Sequence, residues 1–138
     1  MRKPPRPTDA SAARQRLNAI HGEMGALMPL LFRREPMFAA CVYYSPRRCG
    51  NVGCHCAEGD LHPAWLMSFK EGDRMVNRSV PAEERETLIA QAEEYRRFRR
   101  TCRQWRKLSM EAVRLFDVLR ESREVLRKGK GGSMGRTK

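Results

Sequence analysis

No stretch of this 138-residue sequence approaches the ~20 consecutive apolar residues needed to cross a bilayer; the longest, ALMPLLF from Ala26 to Phe32, has seven. The opening MRKPPRP leads into a polar segment without the apolar centre of a secretory leader, so no membrane association or secretion is expected. Five cysteines, an odd number, fit a reducing compartment better than a disulfide framework, and the expected location is cytoplasmic. No CxxC pair occurs, and no Cys–His–Asn arrangement is visible, which argues against redox and nucleophilic thiol chemistry. Acidic residues are the other shortage. Sixteen Asp and Glu stand against 28 Lys and Arg, a formal charge of +12. Such an excess favours a polyanionic partner, nucleic acid ahead of a lipid surface.

What the chain does contain is CGNVGCHC followed by AEGDLHP, which sets Cys49, Cys54 and Cys56 within eight residues and His62 six residues further on. Thiolate sulfur and imidazole nitrogen are the donors tetrahedral zinc prefers. Three Cys and one His would fill all four positions and leave none open for substrate. The expected role is a structural zinc knuckle, although a polar loop of reduced thiols would have the same composition. Gly50, Gly53 and Gly59 suit a loop wrapped tightly around an ion. His55 competes with His62 as fourth ligand, and Cys41 is a more distant rival. Glu58 and Asp60 would be the acids of a zinc hydrolase, a reading that four protein ligands argue against.

The surrounding pattern predicts an α+β fold. Leu17, Ile20, Met24, Leu27 and Leu31 recur at helical spacing after a capping Thr8 or Asp9, with a kink or end expected near Met28 because of Gly22, Gly25 and Pro29. MFAACVYY predicts a strand over 37–44. AWLMSFK and RMVNRSV, separated by EGD, predict a hairpin, giving a three-stranded antiparallel sheet with the cysteine loop between its first two strands. From Ala82 to Lys128 there is neither Pro nor Gly, and heptad spacing places Leu88, Tyr95, Cys102 and Phe116 beside Phe98, Trp105, Ala112, Leu119 and Leu126. This predicts a long C-terminal helix packed on the first helix over 88–105, with a possible homodimer contact through 116–126. Residues 1–8 read as a flexible basic arm, 9–128 as a single domain and 129–138 as a disordered tail.

Within the long helix, RRFRRTCRQWRK carries seven basic residues in twelve and no acid. Arg96, Arg100, Arg103 and Lys107 share one side, with Arg99 and Arg106 at its edge and like charges at i,i+4 that repel unless a polyanion answers them. Trp105 belongs with the core stripe rather than with bases. Arg47 and Arg48 flank the cysteine loop. Lys70, Arg74 and Arg78 lie on the hairpin, where a two-stranded ribbon could read a DNA groove. DNA is the expected partner ahead of RNA.

The ordered combination RRCGNVGCHCAEGDLHP, a strand pair around a Gly turn, SVPAEE and EEYRRFRRTC resembles a family of short prokaryotic proteins of unknown function. Members are often encoded beside, or fused to, transposase-like genes. The resemblance covers 46–124, and its CGxxxCxC...His pattern carries over onto Cys49, Gly50, Cys54, Cys56 and His62. Where a Gly often follows the His, this chain has Pro63 and Ala64. The resemblance implies a non-enzymatic nucleic-acid-binding accessory of a transposase-like protein. A helical interaction adaptor docking on a larger partner is the alternative.

Overall fold

The computed structural model describes residues 7–125, with side chains from Asp9 onward. Most of the expected basic arm, the tail from Gly129 and the stripe position Leu126 lie outside these residues. The element order is helix α1 (Pro7–Leu31), strand β1 (Ala40–Tyr44), a 3-10 turn at His55–Glu58, strands β2 (Trp65–Glu71) and β3 (Arg74–Ser79), a 3-10 turn at Ala82–Glu84 and helix α2 (Arg85–Arg123). This is the α+β arrangement that the sequence predicts. No helix among the described residues is long and apolar enough to cross a membrane.

The chain divides into two compact units: residues 1–27 with 105–138, and residues 28–104. The first is a helix pair. Ile20 and Leu27 of α1 are buried with Leu108 and Ala112 of α2, and Leu17, Met24, Trp105 and Leu115 pack around them. The α1 stripe is the one read from the sequence, extended toward the N-terminus by buried Ala10 and Ala13. Arg16 clamps Glu111 with two hydrogen bonds, at 2.6 and 2.9 Å. The helix begins at Pro7, where a missing N–H costs nothing. It also continues past Pro29 to Leu31, because so near the end proline forfeits only one helical bond, and Phe32 N–H still reaches Met28 O at 3.0 Å.

In the second unit the strands pair in the order β1-β2-β3, all antiparallel. Gly72, with φ +65°, supplies the positive dihedral at the first position of a two-residue hairpin loop. The first strand is shorter than predicted. Phe38 N–H donates to the Gln91 carbonyl of α2 rather than to the sheet, so the ladder starts at Ala40. Fully buried apolar residues are few in this unit, limited among the described residues to Cys56, Leu66, Val80 and Ala92. A unit of this size with so small a core needs another source of cohesion.

Part of it is ionic. Glu94 on α2 is buried and accepts two hydrogen bonds from the Arg33 guanidinium, at 2.9 and 3.1 Å, and a third from Arg97 at 2.8 Å. Two turns after Glu94, Thr101 is buried with its hydroxyl donating to the Arg97 carbonyl. Half of the expected heptad stripe on α2 faces inward: Phe98, Trp105, Ala112 and Leu119 are all at least half-buried. In the other half Leu88, Tyr95 and Cys102 are partly buried and Phe116 is exposed, and the polar Glu94 and Thr101 are buried beside them. The residues of α2 that pack with α1 in this cluster are Trp105, Leu108, Ala112 and Leu115.

Candidate metal centre

Beyond Tyr44 and Trp65 the β1–β2 ladder continues in the same register. Ser45 N–H donates to the Ala64 carbonyl at 2.8 Å, and Arg47 and His62 exchange both backbone hydrogen bonds at 2.9 Å. The cysteine-rich segment is therefore the loop at the tip of a two-stranded ribbon. Cys49 leaves the outgoing strand two residues past the last rung, and His62 occupies that rung on the returning strand. Between them the chain turns at Gly50 (φ +83°) and Gly59 (φ +128°). Cys54 caps the 3-10 turn that holds Cys56, with Ala57 N–H bonded to Cys54 O at 3.1 Å.

This backbone brings one ligand atom from each of Cys49, Cys54, Cys56 and His62 to within 4.8 Å of one another. Cys49 and Cys56 sulfurs are 3.5 Å apart, and Cys54 Sγ is 3.1 Å from His62 Nε2. The edge of a tetrahedron of zinc–sulfur bonds is about 3.8 Å, so the cluster is close to a ligand cage without rearrangement. The four residues could hold a metal ion. His55 is not part of the group; its ring packs edge-on against His62 at 5.1 Å. Cys41 sits exposed in β1, and Glu58 and Asp60 are exposed outside the cluster.

The electrostatics favour deprotonated sulfur. The Asn51 backbone N–H, then the Cys56 and Cys54 thiols and His62, lower the Cys49 pKa to about 6. Cys54 is lowered chiefly by the Cys56 backbone N–H, and His62 is raised by the sulfurs of Cys49 and Cys54. Cys56 accepts the Cys49 backbone N–H at 3.3 Å, which pulls its pKa down. Burial, with 1% of the residue exposed, and the two neighbouring sulfurs outweigh that bond and push it up. Crowded sulfurs that resist simultaneous ionisation are what a cation relieves.

Of the three loop glycines, Gly53 has no positive φ, and a Cβ there meets nothing within 4 Å. Only Gly50 and Gly59 answer to the backbone. Gly59→Ala is accordingly expected to cost roughly 1–3 kcal/mol and to weaken metal retention, whereas Gly53→Ala leaves both unchanged. Thermal unfolding of the two variants, with metal content measured alongside, checks this.

The basic residues named from the sequence are distributed unevenly. Arg96, Arg99, Arg100 and Arg103 are exposed on α2, on the side away from Glu94 and Thr101, and Lys107 is exposed further along the same helix. Among the described residues Arg96, Arg100 and Arg103 form no ion pair; Arg99 donates to Tyr95 Oη at 3.0 Å and lies over its ring. Arg97, inside the same basic run, is instead committed to Glu94. On the hairpin the register separates the bases. Arg74 and Arg78 share the face of Phe69 and Trp65, with Arg78 over Phe69 and 3.7 Å from Glu71, while Lys70 is on the opposite face. Arg47 and Arg48 are exposed beside the metal loop.

A family model described as "Domain of unknown function (DUF6788)" matches residues 14–90, more than half of the chain. The chain belongs to the DUF6788 family. No curated protein and no solved structure matches it. The DUF6788 match begins earlier than the resemblance read from the sequence and ends earlier, taking in most of α1, the whole sheet and the start of α2. All four ligand positions fall inside the DUF6788 segment. The arginine run of α2 falls beyond it.

Proposed function

We propose that this protein is a non-enzymatic nucleic-acid-binding module in which a structural zinc ion on Cys49, Cys54, Cys56 and His62 fixes the β1–β2 ribbon and α2 presents its arginines to phosphate. Four protein ligands leave no open coordination position, which supports a structural rather than a catalytic ion. The observation that carries nucleic-acid binding is the exposed set Arg96, Arg99, Arg100 and Arg103, continued by Lys107, with no carboxylate among the described residues paired to any of the first four. A solvated helix face ordinarily mixes both signs; a face that does not is complementary to a phosphate backbone. Duplex DNA is the favoured ligand, and a transposase-like DNA-processing protein is the partner that the sequence resemblance supports.

Fluorescence anisotropy of a labelled DNA duplex, titrated across a range of salt, tests the reading. With five phosphate-facing cations the plot of log K against log salt has a slope of about −4.5. The exposed double change Arg100→Glu and Arg103→Glu is expected to lower affinity more than about tenfold with an unaltered circular dichroism spectrum. Salt-independent binding, or binding untouched by the double change, overturns the proposal.

A further inference from the structure

Two contacts fix how α2 lies against the sheet. At its first residue the Arg85 guanidinium sits over the Trp65 ring, 5.3 Å from the centroid. Further along, the Gln91 carbonyl accepts the N–H of Phe38, whose ring packs on Phe69 at 5.3 Å. The helix therefore runs in the direction of β2, on the face that carries Trp65 and Phe69, toward the hairpin turn at Gly72. A strand advances about 3.3 Å per residue and a helix about 1.5 Å, so the turn comes level with α2 about seven residues beyond Gln91. From there the helix continues without the sheet.

At about 100° per residue, Arg96, Arg99 and Arg103 fall within about 40° of Arg85, and Arg100 within about 60°. The side that meets the sheet at Arg85 and at the fully buried Ala92 is thus the side that becomes arginine near the turn. A hollow there is lined by Tyr95, Arg96, Arg99, Arg100 and Arg103. The hairpin turns its own arginines the same way: Arg74 and Arg78 are on the Phe69 face, toward α2, and Lys70 is on the other. Three carboxylates stand beside these six guanidinium groups, Glu71, Asp73 and Glu93, and Glu71 is held by Arg78 at 3.7 Å.

On both walls of this cleft an arginine lies over an aromatic ring, Arg78 over Phe69 at 5.8 Å and Arg99 over Tyr95 at 5.7 Å. A guanidinium stacked on a ring is held ready for phosphate, and it covers a ring face on which an unpaired base would stack. Hairpin arginines directed at α2 are also withdrawn from the outward side that a base-reading ribbon uses. What the cleft offers is phosphate contact on two sides. We propose that the hairpin and α2 grip one DNA duplex together, Arg74 and Arg78 on one backbone and Arg96, Arg99, Arg100 and Arg103 on the other, without base readout. This rests on the nucleic-acid reading above and adds to it the hairpin wall and the indifference to sequence.

The test is anisotropy of the full chain with two labelled duplexes of unrelated sequence and with one of their single strands. Arg74→Glu and Lys70→Glu make the same charge change on opposite faces of the hairpin, and both side chains are exposed. Arg74→Glu is expected to lower duplex affinity about tenfold or more and to make the slope of log K against log salt shallower by about one. Lys70→Glu is expected to stay within about threefold of the wild type with an unchanged slope. The two duplexes are expected to bind within about threefold of each other, and the single strand at least about tenfold more weakly. Equal effects of Arg74→Glu and Lys70→Glu, a clear preference between the duplexes, or a single strand bound as tightly as duplex overturns the inference. Any of these alongside an effective Arg100→Glu and Arg103→Glu change leaves the α2 reading standing; if that change is silent, both readings fall.

Discussion

Protein purified without added metal is expected to carry about one zinc ion per chain, and Cys56→Ser none. The effect on the second unit should be severe. Its buried apolar residues are few, and one of them is Cys56 itself, so ligation would supply cohesion that side-chain packing does not. Structural zinc sites in small peptides bind with roughly 10–16 kcal/mol, comparable to the entire stability of an ordinary domain. Chelation is expected to erase amide protection at Arg47 and His62, whose mutual hydrogen bonds close the loop, and to lower protection along β1 and β2. The helix pair has its own core around Ile20 and Leu108 and is expected to keep its protection. Hydrogen exchange with and without chelator measures both. Equal protection in the two conditions would mean that the cluster holds no structural ion.

The second large effect is expected at Glu94. Its carboxylate is buried beneath Arg33 and Arg97, and the Arg33 hydrogen bonds, reinforced by the charges of both guanidinium groups, hold its pKa below the ordinary carboxylate value of 4.5. A depressed folded-state pKa contributes stability that is present above the unfolded value and lost as pH falls through the folded one. Glu94→Gln is therefore expected to lower the melting temperature by several degrees at pH 7, and the gap from wild type to close on acidification below about pH 4.5. Glu111 is shifted in the same direction by Arg16. That pair is far more exposed, so Glu111→Gln is expected to matter much less. Equal effects from the two variants would show that the burial of Glu94 is energetically irrelevant.

Glu94 also marks where sequence reasoning stops. Heptad spacing predicts a long helix correctly, because an uninterrupted run free of Gly and Pro needs no tertiary information. Its inward face is another matter. Apolar spacing selects Tyr95, Cys102 and Phe116, of which the first two are partly buried, and passes over Glu94 and Thr101, which are buried because Arg33, 61 residues away in sequence, and the Arg97 carbonyl satisfy them. Partners at that separation leave no local signature. The candidate cluster was legible because donor chemistry and spacing are local, and of the two histidines the sequence left open it is His62, not His55, that the ribbon gathers with the three cysteines. The hairpin bases were legible as residues and not as a surface, since a face depends on register, and register divides Lys70 from Arg74 and Arg78.

The four ligands also span only the 14 residues from Cys49 to His62. Closing so short a loop costs little chain entropy, so an ion can be captured before any distant part of the chain is in place. Coordination would then bring the ends of β1 and β2 together and set their register from the tip inward. Metal supply would thus govern how fast the sheet forms as well as how long it lasts. A chain emerging into a zinc-starved cell would falter at its first long-range strand pairing.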